Sequence, residues 1–297
     1  MKVTVLYGGP SSEREVSLVS GQAVIDGLRQ AGHEVLPSDI SPDDLSALDK
    51  PTDVVFPVLH GRFGEDGQLQ RILEQRRLRF VGSGSRASQL GFDKVAAKQV
   101  WQQHGLATAP YRVAQNGDAG PWRPIGLPCV IKAIDSGSSI DVFVCRTEQE
   151  AEAACRKVIA AHGRALVEKF LAGIEITCGI LEERPLPLIC IRTTREFYDY
   201  EAKYKGNYTE YLFDTGLPDA VQRQAQEMAL AAHQVLGCRD LSRVDMIVED
   251  GRPVLLEINT LPGFTPKSLL PKAARHAGIE FPQLVDRLAN RAARRSA

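Results

Sequence analysis

Two apolar runs near the C-terminus, RVDMIVED and PVLLEINT, each carry a carboxylate among residues that belong in a core. Asp250 and Gly251 stand between them, a pair that favours the backbone of a tight two-residue turn, so the segment is expected to form a β-hairpin. Strand side chains alternate, which puts Glu257 and Asn259 on one face, with Asp245 on the strand opposite. A buried carboxylate without a cation is costly. Three converging oxygen donors suit Mg²⁺, with Mn²⁺ as an alternative, completed by substrate phosphates. A hairpin with polar residues on its solvent face would give the same spacing. Arg243 shares the face of Asp245, where it could stabilise developing negative charge or form a salt bridge to a neighbouring carboxylate. Gly263, in NTLPGFTPKS, could present a backbone N–H to an oxyanion or serve only as a turn.

The rest of the chain falls into three segments. In residues 1–91 the strands KVTVLY, HEVLPSDI, VVFPVLHG and FVGSG alternate with helical patterns, which predicts an open parallel sheet. Ligands bind at the carboxyl ends of such strands, where Gly8–Glu15 and His60–Gly67 lie. His60 is the one histidine in a glycine-flanked loop of this kind; the other histidines look structural. Residues 92–175 read as a smaller α+β unit: the helix DKVAAKQVWQQHG, the strands CVIKAI, DVFVCR and ALVEKF, and the helix EQEAEAACRKVIAAHG. Residues 176–297 form a second α+β unit that ends in the acidic hairpin.

Weaker signals lie between. Lys132 leads into Gly137, Ser138 and Ser139, a flexible stretch that could cradle phosphates or act as a linker, and no Walker loop occurs anywhere. Lys94 and Lys98, one turn apart, fit a solvated helix face. Glu168 and Glu175 flank EKFLAGIE, where a carboxylate could hold a ribose or an adenine amino group, or be surface charge. FYDYEAKYKGNYTEY carries Tyr198, Tyr200, Tyr204, Tyr208 and Tyr211 without a helical stripe, which suits a functional loop.

Several classes are excluded. The net charge is −1, from 36 Lys+Arg against 37 Asp+Glu, so no nucleic-acid or membrane partner is expected. The basic tail Arg291, Arg294 and Arg295 reads as a solvated helix end. None of the six cysteines forms a C-x-x-C pair, and several sit in apolar runs; buried free thiols and a reducing, cytoplasmic setting are expected. No signal-peptide pattern opens the chain and no apolar run is long enough to span a bilayer. G-x-S-x-G and H-E-x-x-H are both absent.

GGPSSEREVSLVSG, LHGRFGEDGQLQ, FVGSGSRASQLGFDK, GSS, FYDYEAKY and RVDMIVEDGRPVLLEINTLPGFTPKSLLPKAA, in this order, resemble the D-alanine–D-alanine ligases of the ATP-grasp superfamily over roughly residues 3–290. The resemblance implies an α/β, ATP-grasp fold: an N-terminal open parallel domain (1–91), then central (92–175) and C-terminal (176–297) lobes enclosing ATP. It implies ATP contacts from Lys94, Lys132, Ser139, Glu168, Lys169, Leu171, Glu175 and Lys203, and Mg²⁺ on Asp245, Glu257 and Asn259. Glu13 matches the carboxylate that holds the first amino acid's ammonium, with His60 beside it. Ser138 and Tyr204 match a hydroxyl pair near the attacking amine, and Ser268 and Leu269 the contact with the second carboxylate. Arg243 and Gly263 match the oxyanion contacts. D-lactate-using relatives tend to lack the tyrosine matched by Tyr204, which implies D-alanine as the second substrate. The resemblance also implies an acylphosphate intermediate, a closing loop over 198–216, a role in peptidoglycan precursor synthesis and a homodimer.

The chain departs from the family pattern at four places. Ala133 replaces a proline and Asp141 a glycine beside the phosphate loop, FDTGL stands where a Pro-Ala pair is usual, and Arg71 replaces a glycine. A carboxylate ~6 Å from a phosphate charge would cost about 3 kcal/mol at an effective dielectric of about 20. Asp141 therefore keeps open an inactive or divergent homologue with impaired ATP use. A ligase for another amino-acid pair is the third reading.

Overall fold

The computed structural model describes residues 1–137, 141–193 and 209–295. Its elements run β1 (Lys2–Tyr7), α1 (Arg14–Gln30), β2 (Glu34–Asp39), β3 (Val54–Pro57), α2 (Gln68–Gln75), α3 (Ser85–Phe92) and α4 (Lys94–Gln103). Then come β4 (Tyr111–Gln115), β5 (Cys129–Ala133), β6 (Val142–Cys145), α5 (Glu148–His162) and β7 (Arg164–Lys169). The remainder is β8 (Ile174–Leu181), β9 (Arg184–Pro185), β10 (Ile189–Thr193), β11 (Thr209–Leu212), α6 (Asp219–Val235), β12 (Leu241–Glu249), β13 (Arg252–Asn259), α7 (Leu269–His276) and α8 (Phe281–Ala293).

The first sheet has the parallel order β2-β1-β3 that the alternating pattern predicts. FVGSG adds only a bridge from Phe80 to Val55 instead of a full strand. Val3, Val5, Val54 and Phe56 pack against Val24, Ile25 and Leu28 of α1 and against Leu284, Val285 and Leu288 of α8. A helix from the far end of the chain thus completes the core of the first sheet. Gly27 is where α1 and α8 come closest: a Cβ there would lie 3.0 Å from Val285 and 3.1 Å from Phe281.

The second sheet is antiparallel, β4-β7-β5-β6, with α5 on one face. Thr147 and Glu150 form a reciprocal cap at the start of α5. Alternation sends Cys129, Ile131, Ala165 and Val167 into the core under α5. The same alternation turns Val130, Lys132 and Glu168 to the opposite face.

The third sheet orders β11-β10-β8-β12-β13, with β9 on β8. Ala225, Ala229 and Ala232 of α6 lie close over Val244 and Met246. The hairpin forms as expected, Asp250 and Gly251 taking φ of 50° and 73°. Its register places Asp245 opposite Glu257 and then slips between Asp245 and Met246. The bulge breaks strict alternation: Leu255 goes into the core, while Leu256 and Glu257 both face a cavity.

The basic tail corrects the sequence reading. Asp240 is fully buried with φ 64°, and it accepts a hydrogen bond from Gly82 N at 2.8 Å. Arg291 lies 3.3 Å from its carboxylate, and Arg295 pairs with it while also donating to Phe80 O. Arg294 is exposed as expected, but Arg291 and Arg295 clamp a buried charge. His233 is buried against Ser242 at 2.7 Å, and burial pushes its imidazole down to about 4. It stays neutral, a structural histidine. All six cysteines are free and buried.

Asp240→Ala strands two arginines and a buried N–H. The variant is expected to lose about 3 kcal/mol of stability, read from urea unfolding midpoints at constant m-value; a loss of less than about 1 kcal/mol would show the clamp to be solvated.

Candidate active site

Two cavities of about 460 and 740 Å³ open side by side and share Lys94, Ser136, Ile191, Asp245 and Glu257. The first runs between the second and third sheets. Val130, Lys132 and Glu168 line one wall, and Glu175, Cys190, Ile247 and Leu256 the other. The second lies over the carboxyl end of the first sheet, lined by Glu13, His60, Arg243, Gly263, Ser268 and Leu269 among others.

The floor of the first cavity holds a buried charge trio. Glu168 receives Lys98 on one carboxylate oxygen and Lys132 on the other, each at 2.5 Å. Burial opposes the charge on Glu168, but the Lys132 and Lys98 ammoniums outweigh it and hold the carboxyl below its ordinary range. Lys98 is fully buried, which overturns the solvated-face reading of Lys94 and Lys98. The signal was present: Lys94, Lys98 and Trp101 share one helical stripe, and all three are buried. Asp93 fixes the start of α4 by accepting from Val95 N and Ala96 N at 2.9 Å each. The Glu168 carboxylate is shared by two lysines and also lines the first cavity.

Lys169 turns aside, its ammonium 3.2 Å from Glu249, a carboxylate that also accepts from Ala172 N at 2.9 Å. Leu171 is buried, and together with Phe170 it lines the cavity beside Glu175.

The acidic hairpin sits where the cavities meet. Arg243 grips Asp245 with two hydrogen bonds of 2.9 and 2.7 Å, and Thr177 adds a third at 2.6 Å. Arg243 thus forms the salt bridge that one reading expected, and it also lines the second cavity. Lys94 lies 3.5 Å from Glu257 and donates to Ser136 O at 2.7 Å. Asn259 accepts from Leu261 N at 2.8 Å. Among the described residues no three acidic, histidine or cysteine side chains cluster. The third oxygen is the Asn259 amide, so the donor set fits a hard cation that draws its remaining ligands from phosphate.

In the second cavity Gly8 and Gly9 turn the chain with φ of 77° and 79°, letting α1 begin over the sheet. Ser17 ties this turn to β3, accepting from Gly8 N at 2.9 Å and donating to Val58 O at 2.7 Å. Ser11 donates to His60 O at 2.6 Å. The Glu13 carboxylate is fitted closely between glycines, since a Cβ at Gly61 would lie 3.1 Å from it and one at Gly137 3.3 Å. His60 is buried between Ser20 at 3.4 Å and Glu65 at 3.8 Å, and Glu65 also accepts from Gly61 N at 2.8 Å. A Cβ on Gly263 would fall 2.8 Å from Ser268 Oγ and 3.7 Å from His60, so a side chain there would displace the Ser268 hydroxyl. Thr265 N donates to Ser268 Oγ at 3.0 Å, holding that hydroxyl at the start of α7.

Ser138, Ser139, Lys203 and Tyr204 lie outside the described residues, as does most of the tyrosine segment. Sequence reasoning missed Glu65, Thr177 and Glu249, each a partner of a predicted residue. It also missed Lys272, which lines the second cavity with its ammonium 4.4 Å over the Tyr211 ring.

Asp141 behaves differently from the expectation. It takes φ 53°, the left-handed conformation a glycine would supply, and its carboxylate turns to α5. There it meets His162 at 3.0 Å and Lys157 at 3.3 Å. The hydrogen bond from His162, with Lys157 alongside, holds the carboxyl below its ordinary range. Its charge is balanced locally, and the predicted repulsion of a phosphate loses its basis.

With this geometry established, comparison with known proteins gives a consistent result. Residues 100–290 match the profile described as D-ala D-ala ligase C-terminus, and residues 2–45 and 41–83 match D-ala D-ala ligase N-terminus. The D-alanine–D-alanine ligase of Anaeromyxobacter sp. (strain K) is 43% identical over 298 residues, covering 98% of this chain and 97% of the relative. That of Desulforudis audaxviator is 43% identical over 296 residues, covering 97% of each.

The chain belongs to the D-alanine–D-alanine ligase family.

Solved members of that family share its fold. The Bacillus anthracis ligase complexed with ATP superposes with a TM-score of 0.88 at 33% identity, covering 99% of this chain and 97% of that one. The Coxiella burnetii ligase gives 0.86 at 26% identity, covering 99% and 94%. The fold is thus the ATP-grasp fold of these ligases.

A carboxyl held below its ordinary range stabilises the fold above that range, and the stabilisation disappears as pH falls through the folded-state value. Asp141→Asn should therefore melt below the parent at pH 7 and converge with it once the pH has fallen below the ordinary carboxylate range, in thermal scans. An equal melting temperature at pH 7 would show that Lys157 and His162 do not hold the carboxylate.

Proposed function

We propose that the chain is an ATP-dependent ligase that joins two D-alanine molecules into D-alanyl-D-alanine. The observation that carries this reading is the meeting of two cavities at Lys94, Asp245 and Glu257. A phosphoryl donor in one can there reach a carboxylate in the other. The names of the relatives and the ATP complex of a solved one support it.

Lys94 and Lys132 hold the polyphosphate, and Glu175 with the stretch 169–171 holds the adenosine. Asp245, Glu257 and Asn259 would hold Mg²⁺, which when bound neutralises charge on the transferring phosphoryl group. Glu13 binds the ammonium of the first D-alanine, with His60 beside it. An oxygen of that molecule's carboxylate attacks the γ-phosphorus and ADP leaves, giving an acylphosphate. The amine of the second D-alanine, its carboxylate at Ser268 and Leu269, attacks the carbonyl carbon. Phosphate leaves as the carbon–oxygen bond breaks, and the amine loses a proton. Arg243 and the Gly263 N–H stabilise the oxyanion between these events. Ser138, Ser139, Lys203 and Tyr204 keep the roles the resemblance implies, as do the cytoplasmic setting, the homodimer and the supply of peptidoglycan precursors.

Asp141 gives no ground for an inactive homologue, because its carboxylate is paired with Lys157 and His162. The test is phosphate release with ATP, Mg²⁺ and D-alanine, with the dipeptide identified by mass spectrometry. Release should depend on D-alanine, fail with L-alanine and stop with EDTA. Absence of D-alanine-dependent release would sink the proposal.

Gly263→Ala sets a methyl 2.8 Å from Ser268 Oγ, the hydroxyl assigned to the second carboxylate, and should lower kcat/KM for D-alanine by about tenfold. A drop smaller than about threefold would remove Gly263 from the site.

A further inference from the structure

Lys98 touches neither cavity, yet it is the most completely buried lysine of the described chain. Its ammonium lies 2.5 Å from Glu168 and 2.5 Å from Thr108 Oγ1, with the Tyr111 ring centroid 5.5 Å away. Thr108 Oγ1 in turn donates to Leu255 O at 2.8 Å, and Leu255 N donates to Ala107 O at 2.9 Å. Leu255 stands two residues before Glu257 on β13. One buried ammonium is therefore fixed to the strand of the acidic hairpin and, through Glu168, to Lys132 on the second sheet.

We infer that Lys98 is a positioning residue for the nucleotide: it shares the charge of Glu168 and so leaves the Lys132 ammonium free to attract phosphate. The argument is one of charge. Glu168 with Lys132 alone is a neutral pair, in which the carboxylate satisfies the ammonium completely. Burial lowers the pKa of Lys98 while Glu168 opposes that shift; in its charged form Lys98 divides the carboxylate between two donors, so that Glu168 compensates Lys132 less completely. In a site screened from water, that remaining positive charge acts on a polyanion at short range. A lysine present only to neutralise Glu168 would be redundant, because Lys132 already does so at 2.5 Å. The bond to Thr108 also fixes where Glu168 can sit, and through it the height of Lys132 above the cavity floor.

The inference rests on the nucleotide reading of the first cavity, and the experiment separates the two. Binding of ATP and of adenosine, which lacks phosphates, is measured by calorimetry and ligand-detected NMR on the full chain, on Lys98→Met and on Lys98→Gln. The Gln variant keeps a donor to Glu168 without the charge. Thermal melts verify folding. If the parent binds no ATP, the nucleotide reading itself fails and the inference falls with it. If the parent binds ATP, the expected result is a loss of about tenfold in ATP affinity in both variants, with adenosine affinity within about twofold of the parent. The steady-state counterpart is a raised KM for ATP and an unchanged KM for D-alanine. Equal weakening of ATP and adenosine, no weakening of either, or failure of both variants to fold would each overturn the inference and leave Lys98 a purely structural group.

Discussion

Two carboxylates face each other across the antiparallel pair of β12 and β13, and the arrangement of the site follows from keeping them there. Like charges directly opposite on a sheet repel. Asp245 is held by Arg243 from its own strand and by Thr177 from β8, while Glu257 is held by Lys94 from α4. The neutralising groups come from different elements, so the hairpin is stable only when those elements have assembled around it. The bulge after Asp245 adds the last requirement, turning Leu256 and Glu257 together toward the cavity. A cation bound with its phosphates would relieve the same repulsion, which links ligand binding to the packing of the two lobes.

Much of this was legible in the sequence because it depends on local pattern. Alternation along β5 and β12 and the Asp250–Gly251 turn determine which side chains face the cavities. Carboxylates inside apolar runs marked Asp245 and Glu257, and glycines flanking a strand end marked His60. The unreadable part depends on partners distant in sequence. Lys98 looks like a surface lysine until Glu168, brought by β7, is placed above it. Asp141 looks like a charge aimed at phosphate until α5 supplies His162 and Lys157. Arg291 and Arg295 look solvated until Asp240 is found buried beneath them. In each case residue type and spacing were plain, and side-chain direction was decided by a neighbour that no local pattern reveals.

The site also shows how buried charge is distributed. Asp240, Glu168 and Asp245 are each nearly or fully buried, and each has at least one cationic partner. Removing a buried pair as a unit is tolerated in many proteins, whereas removing one partner is strongly destabilising. This chain places that vulnerability in two places: at the wall of the first cavity, around Glu168, and beside the first sheet, around Asp240.

The contact of α8 with the first sheet bears on how the chain is made. Synthesis delivers β1, α1, β2 and β3 long before Leu284, Val285 and Leu288, which close their core. Until α8 arrives, α1 covers only part of that sheet face. A chain lacking that helix would leave Val54 and Phe56 with part of their cover missing, so the first sheet reaches its native packing only after long-range docking of α8.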